Sequence, residues 1–114
     1  MAKALVCGGR DYADSARVFR VLDAAAERLG VDFIIQGGAR GADYLAWQWA
    51  DVRGVKVGTF NADWKAHGKK AGSIRNQQML DEGRPDLVLA FPGGVGTNDM
   101  IRRAEASGLP VYRC

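Results

Sequence analysis

The chain has 114 residues, of which 47% are hydrophobic and 25% are charged, a balance typical of one globular domain, here expected over residues 1–114. Its two cysteines exclude a disulfide framework, and no apolar run is long enough for a signal peptide or a membrane span, so we expect a cytoplasmic protein without a membrane partner. The net charge of +3 is a mild bias toward anionic ligands, too small to indicate nucleic-acid binding by itself.

Apolar runs alternate with helical patterns along the chain. The predicted elements are, in order, a strand at 4–9, a helix at 14–29, a strand at 31–38, a helix at 41–53, a strand at 55–60, a helix at 73–82, a strand at 86–92, a helix at 97–107 and a strand at 110–114. Asp14 or Ser15 is expected to cap the first helix, and Gly30 to end it. The polar segment 61–72 is predicted to be a loop.

Five predicted strands separated by four helices form a series of βαβ units. This order predicts an α/β protein with a Rossmann-like, three-layer α/β/α fold and a five-stranded parallel sheet. The expected strand order is 3-2-1-4-5, so the direction of the chain reverses between strands 1 and 4. Sheets of this kind bind ligands at the carboxyl ends of the strands, at this switch point.

Three glycine-rich loops follow strands 1, 2 and 4: "CGGRD" (7–11), "QGGARGAD" (36–43) and "PGGVGT" (92–97). We expect them to meet at one edge of the sheet, where free N–H groups at helix N-termini suit a phosphate and glycine lets it approach the backbone. The alternative is that the glycines serve packing alone. No loop is a full G-x-G-x-x-G or a P-loop. The candidate glycines are Gly8, Gly9, Gly37, Gly38, Gly41, Gly93, Gly94 and Gly96.

Side chains beside these loops are further ligand-binding candidates. Arg10 and Arg40 follow glycine pairs and are expected to contact a phosphate through their guanidinium groups. Asp43 would meet a ribose hydroxyl or interact with the dipole of its own helix. Thr97 would donate to the ligand or cap its helix, and Trp64 would stack on a base or pin its own loop. No spacing indicates a metal site, and no cofactor is predicted beyond such a nucleotide-type ligand.

Four motifs, in order, resemble the SLOG superfamily, which groups the DNA-processing DprA proteins with the Lonely Guy phosphoribohydrolases, and most of all its small YspA-like branch. The motifs are "CGGRD", "QGGARGADYLAWQWA", "ADWKAHGKKAGSIRNQQML" and "FPGGVGT". The resemblance implies a Rossmann-like fold and a pocket for a nucleotide or a nucleotide-derived ligand. Arg75 and Met79 have the R-x-x-x-M spacing of the Lonely Guy enzymes, so the resemblance implies that Arg75 binds the ligand. Asn76 beside it is a candidate for a sugar or a base edge.

Arg75 is also unusual on physical grounds, because it is predicted in the first turn of a helix, where cations are disfavoured. The second Lonely Guy motif, P-G-G-x-G-T-x-x-E, is incomplete, since Met100 stands at the position of the glutamate. Cleavage of an N-glycosidic bond needs a carboxylate, and Asp99 is rotated by about 100° along the helix from that position. The remaining catalytic candidates are Asp11, Asp43 and Asp63.

Three functions are compatible with these residues. The first is a homo-oligomeric sensor or carrier of ADP-ribose, NAD or a nucleoside phosphate, in which Trp47 and Trp49 serve core and interface packing. The second is an N-glycosidic or nucleotide-sugar hydrolase. The third, by resemblance to DprA, is binding of single-stranded nucleic acid, which requires an extended basic track with stacking aromatics. The sequence supplies only the basic loop 64–70 for that purpose.

Overall fold

The computed structural model describes residues 1–114. In chain order the elements are β1 (Ala2–Cys7), α1 (Ser15–Leu29), β2 (Val31–Gln36), α2 (Ala42–Arg53), β3 (Lys56–Thr59), α3 (Trp64–His67), a 3₁₀ turn (Gly68–Lys70), α4 (Ala71–Gly83), β4 (Leu87–Ala90), α5 (Val95–Ala106) and β5 (Val111–Arg113). None of the helices combines the length and the hydropathy that crossing a membrane would require.

The five strands form one parallel sheet in the order β3-β2-β1-β4-β5. The central strand β1 pairs on both sides, so Leu5 lies opposite Ile35 of β2 and Val88 of β4. Helices flank the sheet on both faces, which confirms the predicted Rossmann-like α/β fold and the strand order 3-2-1-4-5. The reversal of strand order lies between β1 and β4, where ligands of such sheets bind.

Alternation along the strands divides the core between the two faces of the sheet. Ala4 and Val6 of β1 pack with α1 and α2, in a cluster that includes the fully buried Trp49. Leu5 and Cys7 of the same strand pack with α4 and α5 in a second cluster. Trp49 is therefore a core residue, as predicted. Trp47 is exposed and stacks on Tyr44 at the surface of α2, so it is not a core residue, and its role in interface packing stays a prediction.

Capping explains where the first helix begins and ends. The Asp14 carboxylate accepts a hydrogen bond from the Arg17 N–H at 3.0 Å, so Asp14 is the N-cap of α1. Gly30 ends the helix in a left-handed conformation, with φ of 69°, as the sequence indicated. Neither α2 nor α5 has a side-chain cap, because Gly41 and Gly94 occupy their N-cap positions.

Several predicted boundaries are wrong. The first two strands end before their glycine pairs, so residues 8–9 and 37–38 belong to loops. The segment 61–72 contains α3 and the 3₁₀ turn, because Asp63 caps α3 by accepting from the Ala66 N–H at 3.0 Å. Helix α4 begins at Ala71 instead of 73, since a start made of small residues carries no apolar period. Helix α5 begins at Val95 instead of 97 for the same reason.

Candidate functional site

A crevice of about 730 Å³ opens at the carboxyl ends of β1 and β4. The loop after β1, the N-terminal half of α4 and the first turns of α5 form its walls, and Trp64 of α3 stands at its rim. This volume lies within the range of small-molecule sites. The crevice is therefore at the switch point of the sheet, between the glycine-rich loops that follow β1 and β4.

Most of the candidate glycines allow the loops to pack against one another. Gly41 has φ of +79°, and a Cβ there would lie 2.6 Å from the carbonyl carbon of Arg10. A Cβ on Gly93 would lie 2.7 Å from the Gly9 nitrogen, and one on Gly8 would lie 2.6 Å from the Ala42 Cβ. The loops after β1 and β4 are further joined by a hydrogen bond from the Gly9 N–H to the Pro92 carbonyl at 2.8 Å. The packing interpretation accounts for these positions.

The amides of the glycine pair and of Ala39 in the loop after β2 are used within the protein. The N–H groups of Gly37 and Ala39 both donate to the Asp43 carboxylate, each at 3.2 Å, and the Gly38 N–H donates to the Gln36 side chain. The Ala42 N–H, at the start of α2, donates to the Gly9 carbonyl at 3.2 Å. The expectation of unpaired N–H groups for a phosphate is therefore wrong at these positions, because Asp43 reaches back from the first turn of α2 to hold the loop.

The N-terminus of α5 is open. The N–H groups of Val95, Gly96 and Thr97 have no protein acceptor, since they precede the first intrahelical bond and Gly94 supplies no side chain. A Cβ at Gly94 or Gly96 would meet no atom within 4 Å. The positive end of the helix dipole therefore faces the crevice with its donors unpaired. Thr97 is the third residue of the helix and is buried, so the alternative that Thr97 caps α5 is wrong.

Three arginines that were predicted to bind the ligand lie near the crevice, and they differ in their contacts and exposure. The guanidinium carbon of Arg10 lies 5.4 Å from the ring centroid of the half-exposed Trp64. Arg75 donates to the Gly37 carbonyl and, through Nε, to the Asn76 side-chain oxygen at 3.1 Å. Desolvation lowers the Arg75 pKa, and the charge of Asp43 opposes that shift. Arg40 is exposed and forms an ion pair with the exposed Asp11 at 3.6 Å.

Arg75 lies at a different position in its helix from the one predicted. Because α4 begins at Ala71, Arg75 lies in the second helical turn, and the expectation of a cation in the first turn is wrong. Its guanidinium is directed to the loop after β2, where it supports the Gly37 carbonyl and lines the crevice. Arg75 therefore supports the loop after β2, and its role in ligand binding stays a prediction.

Asn76 and Asp99 connect α4 to α5 in the wall of the crevice. The buried Asn76 amide donates to the Gly96 carbonyl at 3.2 Å and to Asp99 Oδ2 at 3.0 Å. Asp99 also accepts from Arg102 at 2.8 Å and from Arg103 at 2.9 Å. Although desolvation opposes it, hydrogen bonding to Arg103 and Asn76 lowers the Asp99 pKa. Both side-chain groups of Asn76 are thus used within the protein, contrary to the prediction that they meet a sugar or a base.

The catalytic candidates differ in their surroundings. Asp11 is exposed, and Asp63 is the exposed N-cap of α3. Asp43 is buried at the crevice, and desolvation raises its pKa to about 6 against the opposing effects of the Ala39 N–H and Arg75. Burial raises the pKa of Cys7, another residue of the crevice wall, to about 12, so its thiol is no nucleophile at neutral pH. No three His, Cys, Asp or Glu side chains are grouped to hold a metal ion.

Among the cationic residues of the crevice, sequence reasoning missed two, Arg102 and Lys69. Arg102 lies two helical turns after Val95, and its position three residues after Asp99 was a signal that the two side chains share a face. Lys69 was noted only as part of a basic loop, and its location at the crevice follows from the 3₁₀ turn that the sequence did not indicate. Together with Arg10 and Arg75, these residues give the crevice four cationic side chains.

Known proteins share both the sequence and the fold of this chain. The model of the YspA, cpYpsA-related SLOG family matches residues 2–67. The Gene 61 protein of Mycobacterium phage D29 is 40% identical over an alignment of 124 residues, which covers 97% of this chain and 94% of the phage protein. The X-ray structure of TM1055, a Northeast Structural Genomics Consortium target, is similar in fold, with a TM-score of 0.73 and 22% identity over 97% of this chain and 72% of that one. The chain belongs to the YspA, cpYpsA-related SLOG family, and this membership supports a nucleotide-related function at the level of the family.

Proposed function

We propose that the protein binds a nucleotide or a nucleotide-derived ligand in the crevice, as a sensor or carrier, with a phosphate at the N-terminus of α5. One observation carries the proposal: the N–H groups of Val95, Gly96 and Thr97 lack protein acceptors and open onto the crevice at the switch point of the sheet. A phosphate would accept from these donors and interact favourably with the helix dipole. The empty space beside Gly94 and Gly96 leaves room for its oxygens.

The rest of the crevice suits the remaining parts of such a ligand. Arg10 and Arg102 also line the crevice, and a guanidinium group can pair bidentately with a phosphate, although that of Arg102 also donates to Asp99. Trp64 presents a half-exposed ring at the rim, on which a base would stack. Adenosine phosphates, ADP-ribose and NAD all combine these features, so they form the class of ligand that we propose.

Hydrolysis of an N-glycosidic bond is the second candidate function, and it is favoured by Asp43. This carboxylate lines the crevice, and a pKa raised to about 6 is suited to general acid–base catalysis near neutral pH. Asp99 is less suited to that role, because three hydrogen bonds hold it and its pKa is lowered. Mass spectrometry of the recovered ligand distinguishes the two functions, since a carrier returns its ligand intact and a hydrolase returns base and sugar phosphate.

Thermal shift with AMP, ADP-ribose and NAD tests the proposal, with Gly96→Asp as the decisive variant. A ligand at 100 times its Kd adds about 2.7 kcal/mol to stability, which corresponds to a rise of about 10 °C in a domain of this size. A Cβ at this position would meet no atom within 4 Å, and a carboxylate in the first turn would interact favourably with the helix dipole. We therefore expect the free variant to be at least as stable as the wild type, while its carboxylate repels the phosphate and abolishes the shift.

Gly96→Asn is the matched control, because it has the same shape without the charge. We expect it to retain a nucleotide-induced shift. A full shift in Gly96→Asp would contradict a phosphate at α5, and the absence of any nucleotide-induced shift in the wild type would overturn the proposed function. If only oligonucleotides stabilise the protein, with an affinity that falls steeply in salt, the function is binding of single-stranded nucleic acid.

A further inference from the structure

A second pocket of about 400 Å³ adjoins the crevice on the side of β2 and β3. We call it the arginine pocket, because Arg10, Arg40 and Arg75 line it together with Asn61, Trp64 and the loop 37–39. Four of its residues also line the crevice and so form the boundary between the two spaces: Arg10, Ala39, Trp64 and Arg75. The site thus has two compartments along one rim of the sheet.

The arginine pocket is strongly cationic. Three guanidinium groups line it, and no carboxylate does, whereas Asp43 and Asp99 both line the crevice. The charge of Asp43, on the crevice side, acts on Arg75 without forming an ion pair with it. The only acid within ion-pair distance of these arginines is Asp11, whose 3.6 Å contact with Arg40 joins side chains that are 96% and 77% exposed. Such an exposed pair is weak and easily exchanged. A pocket of this composition attracts an anionic group and can hold it through several guanidinium donors.

The boundary between the compartments is itself polar and partly fixed. Arg75 is held by the Gly37 carbonyl and the Asn76 side chain, while Arg10 and Trp64 are exposed and in contact with each other. A ligand that extends from the N-terminus of α5 into the arginine pocket therefore passes along guanidinium groups and an aromatic face. This path suits a polar, charged ligand more than an apolar one.

We propose that the ligand carries two separate anionic groups, one at the N-terminus of α5 and the other in the arginine pocket. The class is a nucleotide with a second, separate phosphate, such as a nucleoside bisphosphate or a dinucleotide with an additional phosphate. This inference rests on the proposed function and adds to it a second anionic group, in the neighbouring pocket. Arg40 is the one charged residue that lines the arginine pocket and not the crevice, so it distinguishes the two compartments.

Titration calorimetry with matched ligand pairs tests this inference. The pairs are AMP with adenosine 3′,5′-bisphosphate, and NAD with NADP, each of which differs by one phosphate. A hydrogen bond between charged groups contributes at least about 1.4 kcal/mol, or about tenfold in Kd. We expect the additional phosphate to tighten binding by about tenfold or more in at least one pair. No gain in either pair would overturn the inference.

Arg40→Gln locates the second anionic group. We expect this variant to remove the gain from the additional phosphate and to leave the Kd of the ligand without it unchanged. Arg20→Gln, on the exposed surface of α1 and away from both pockets, is the control for loss of one positive charge. Equal weakening of both members of a pair by Arg40→Gln would overturn the inference.

The outcomes separate this inference from the function on which it rests. If AMP or NAD binds and Gly96→Asp abolishes that binding, while the additional phosphate has no effect, the inference fails and the proposed function stands. If none of the four ligands binds to the wild type, both fail. A gain that survives in Arg40→Gln would place the second phosphate outside the arginine pocket and so would also overturn the inference.

Discussion

Asp43→Asn should remove the contribution of Asp43 to the pH dependence of the free energy of unfolding. The buried Asp43 accepts from the Gly37 and Ala39 N–H groups through one oxygen, Oδ2. An asparagine side-chain oxygen can replace that acceptor, so the loop after β2 should keep its conformation. The substitution removes the ionisable group and leaves its geometry, which makes it a test of the electrostatics alone.

The size of the effect follows from the pKa of Asp43, which desolvation raises from 3.8 to about 6 in the folded protein. Between these values the folded state binds more protons than the unfolded state, so the free energy of unfolding falls as the pH rises. Because the shift is about two pKa units, the loss is about 3 kcal/mol and is complete above the folded-state pKa. The asparagine variant has no such loss.

Urea denaturation of wild type and Asp43→Asn from pH 3.5 to 7.5 measures the difference. We expect the variant to gain about 3 kcal/mol relative to wild type across this range, with most of the change between pH 4 and pH 6. A difference in stability that arises from altered hydrogen bonding is the same at every pH, so it does not affect the pH-dependent change that the test measures. Asp11→Asn, at an exposed carboxylate on the same rim, is the control. A difference in the free energy of unfolding that stays the same at every pH, or one that decreases as the pH rises, would refute the reasoning.

Two substitutions test the packing of the loops and of α5. Gly41→Ala should destabilise the fold by about 3 kcal/mol or more in urea denaturation, since Gly41 combines φ of +79° with close contact to Gly9. Gly54→Ala is its control and should lose only about 1 kcal/mol, because Gly54 has φ of +70° and open space around it. Met100→Glu places a charge in the core and should cost about 4 kcal/mol or more, whereas Met100→Leu should cost less than about 1.5. A Met100→Glu variant with wild-type stability would contradict this account.

The fold follows from features that are local in the sequence. Each strand is a short apolar run between turn residues, and helix α1 is bounded by the caps Asp14 and Gly30. Strands that alternate with helices along the chain predict a parallel sheet. Strand order then follows from the handedness of the crossovers and the position of the reversal. The starts of α4 and α5 could not be predicted in the same way, since the small residues at 71–73 and the glycines at 94 and 96 supply no apolar period.

The position of the site could be predicted, and the use of its backbone donors could not. Glycine pairs after β1, β2 and β4 indicate loops at one rim, since the carboxyl ends of parallel strands lie together. The sequence does not indicate that Asp43 takes the amides of the loop after β2, because that contact depends on the orientation of α2. The N-terminus of α5 keeps its donors free because Gly94, at the N-cap, has no side chain to accept from them.

The missing glutamate of the Lonely Guy motif has a structural explanation in the packing of α5. The fully buried Met100 packs with Leu5 and Val88 in the core, whereas Asp99 lines the crevice. A carboxylate at position 100 would therefore be placed in an apolar cluster in this chain. Arg102 and Arg103 neutralise the charge of Asp99, so the N-terminus of α5 keeps its attraction for a phosphate. If the crevice also performs hydrolysis, the catalytic carboxylate must be Asp43, and Asp43→Asn would then bind the nucleotide and return it intact.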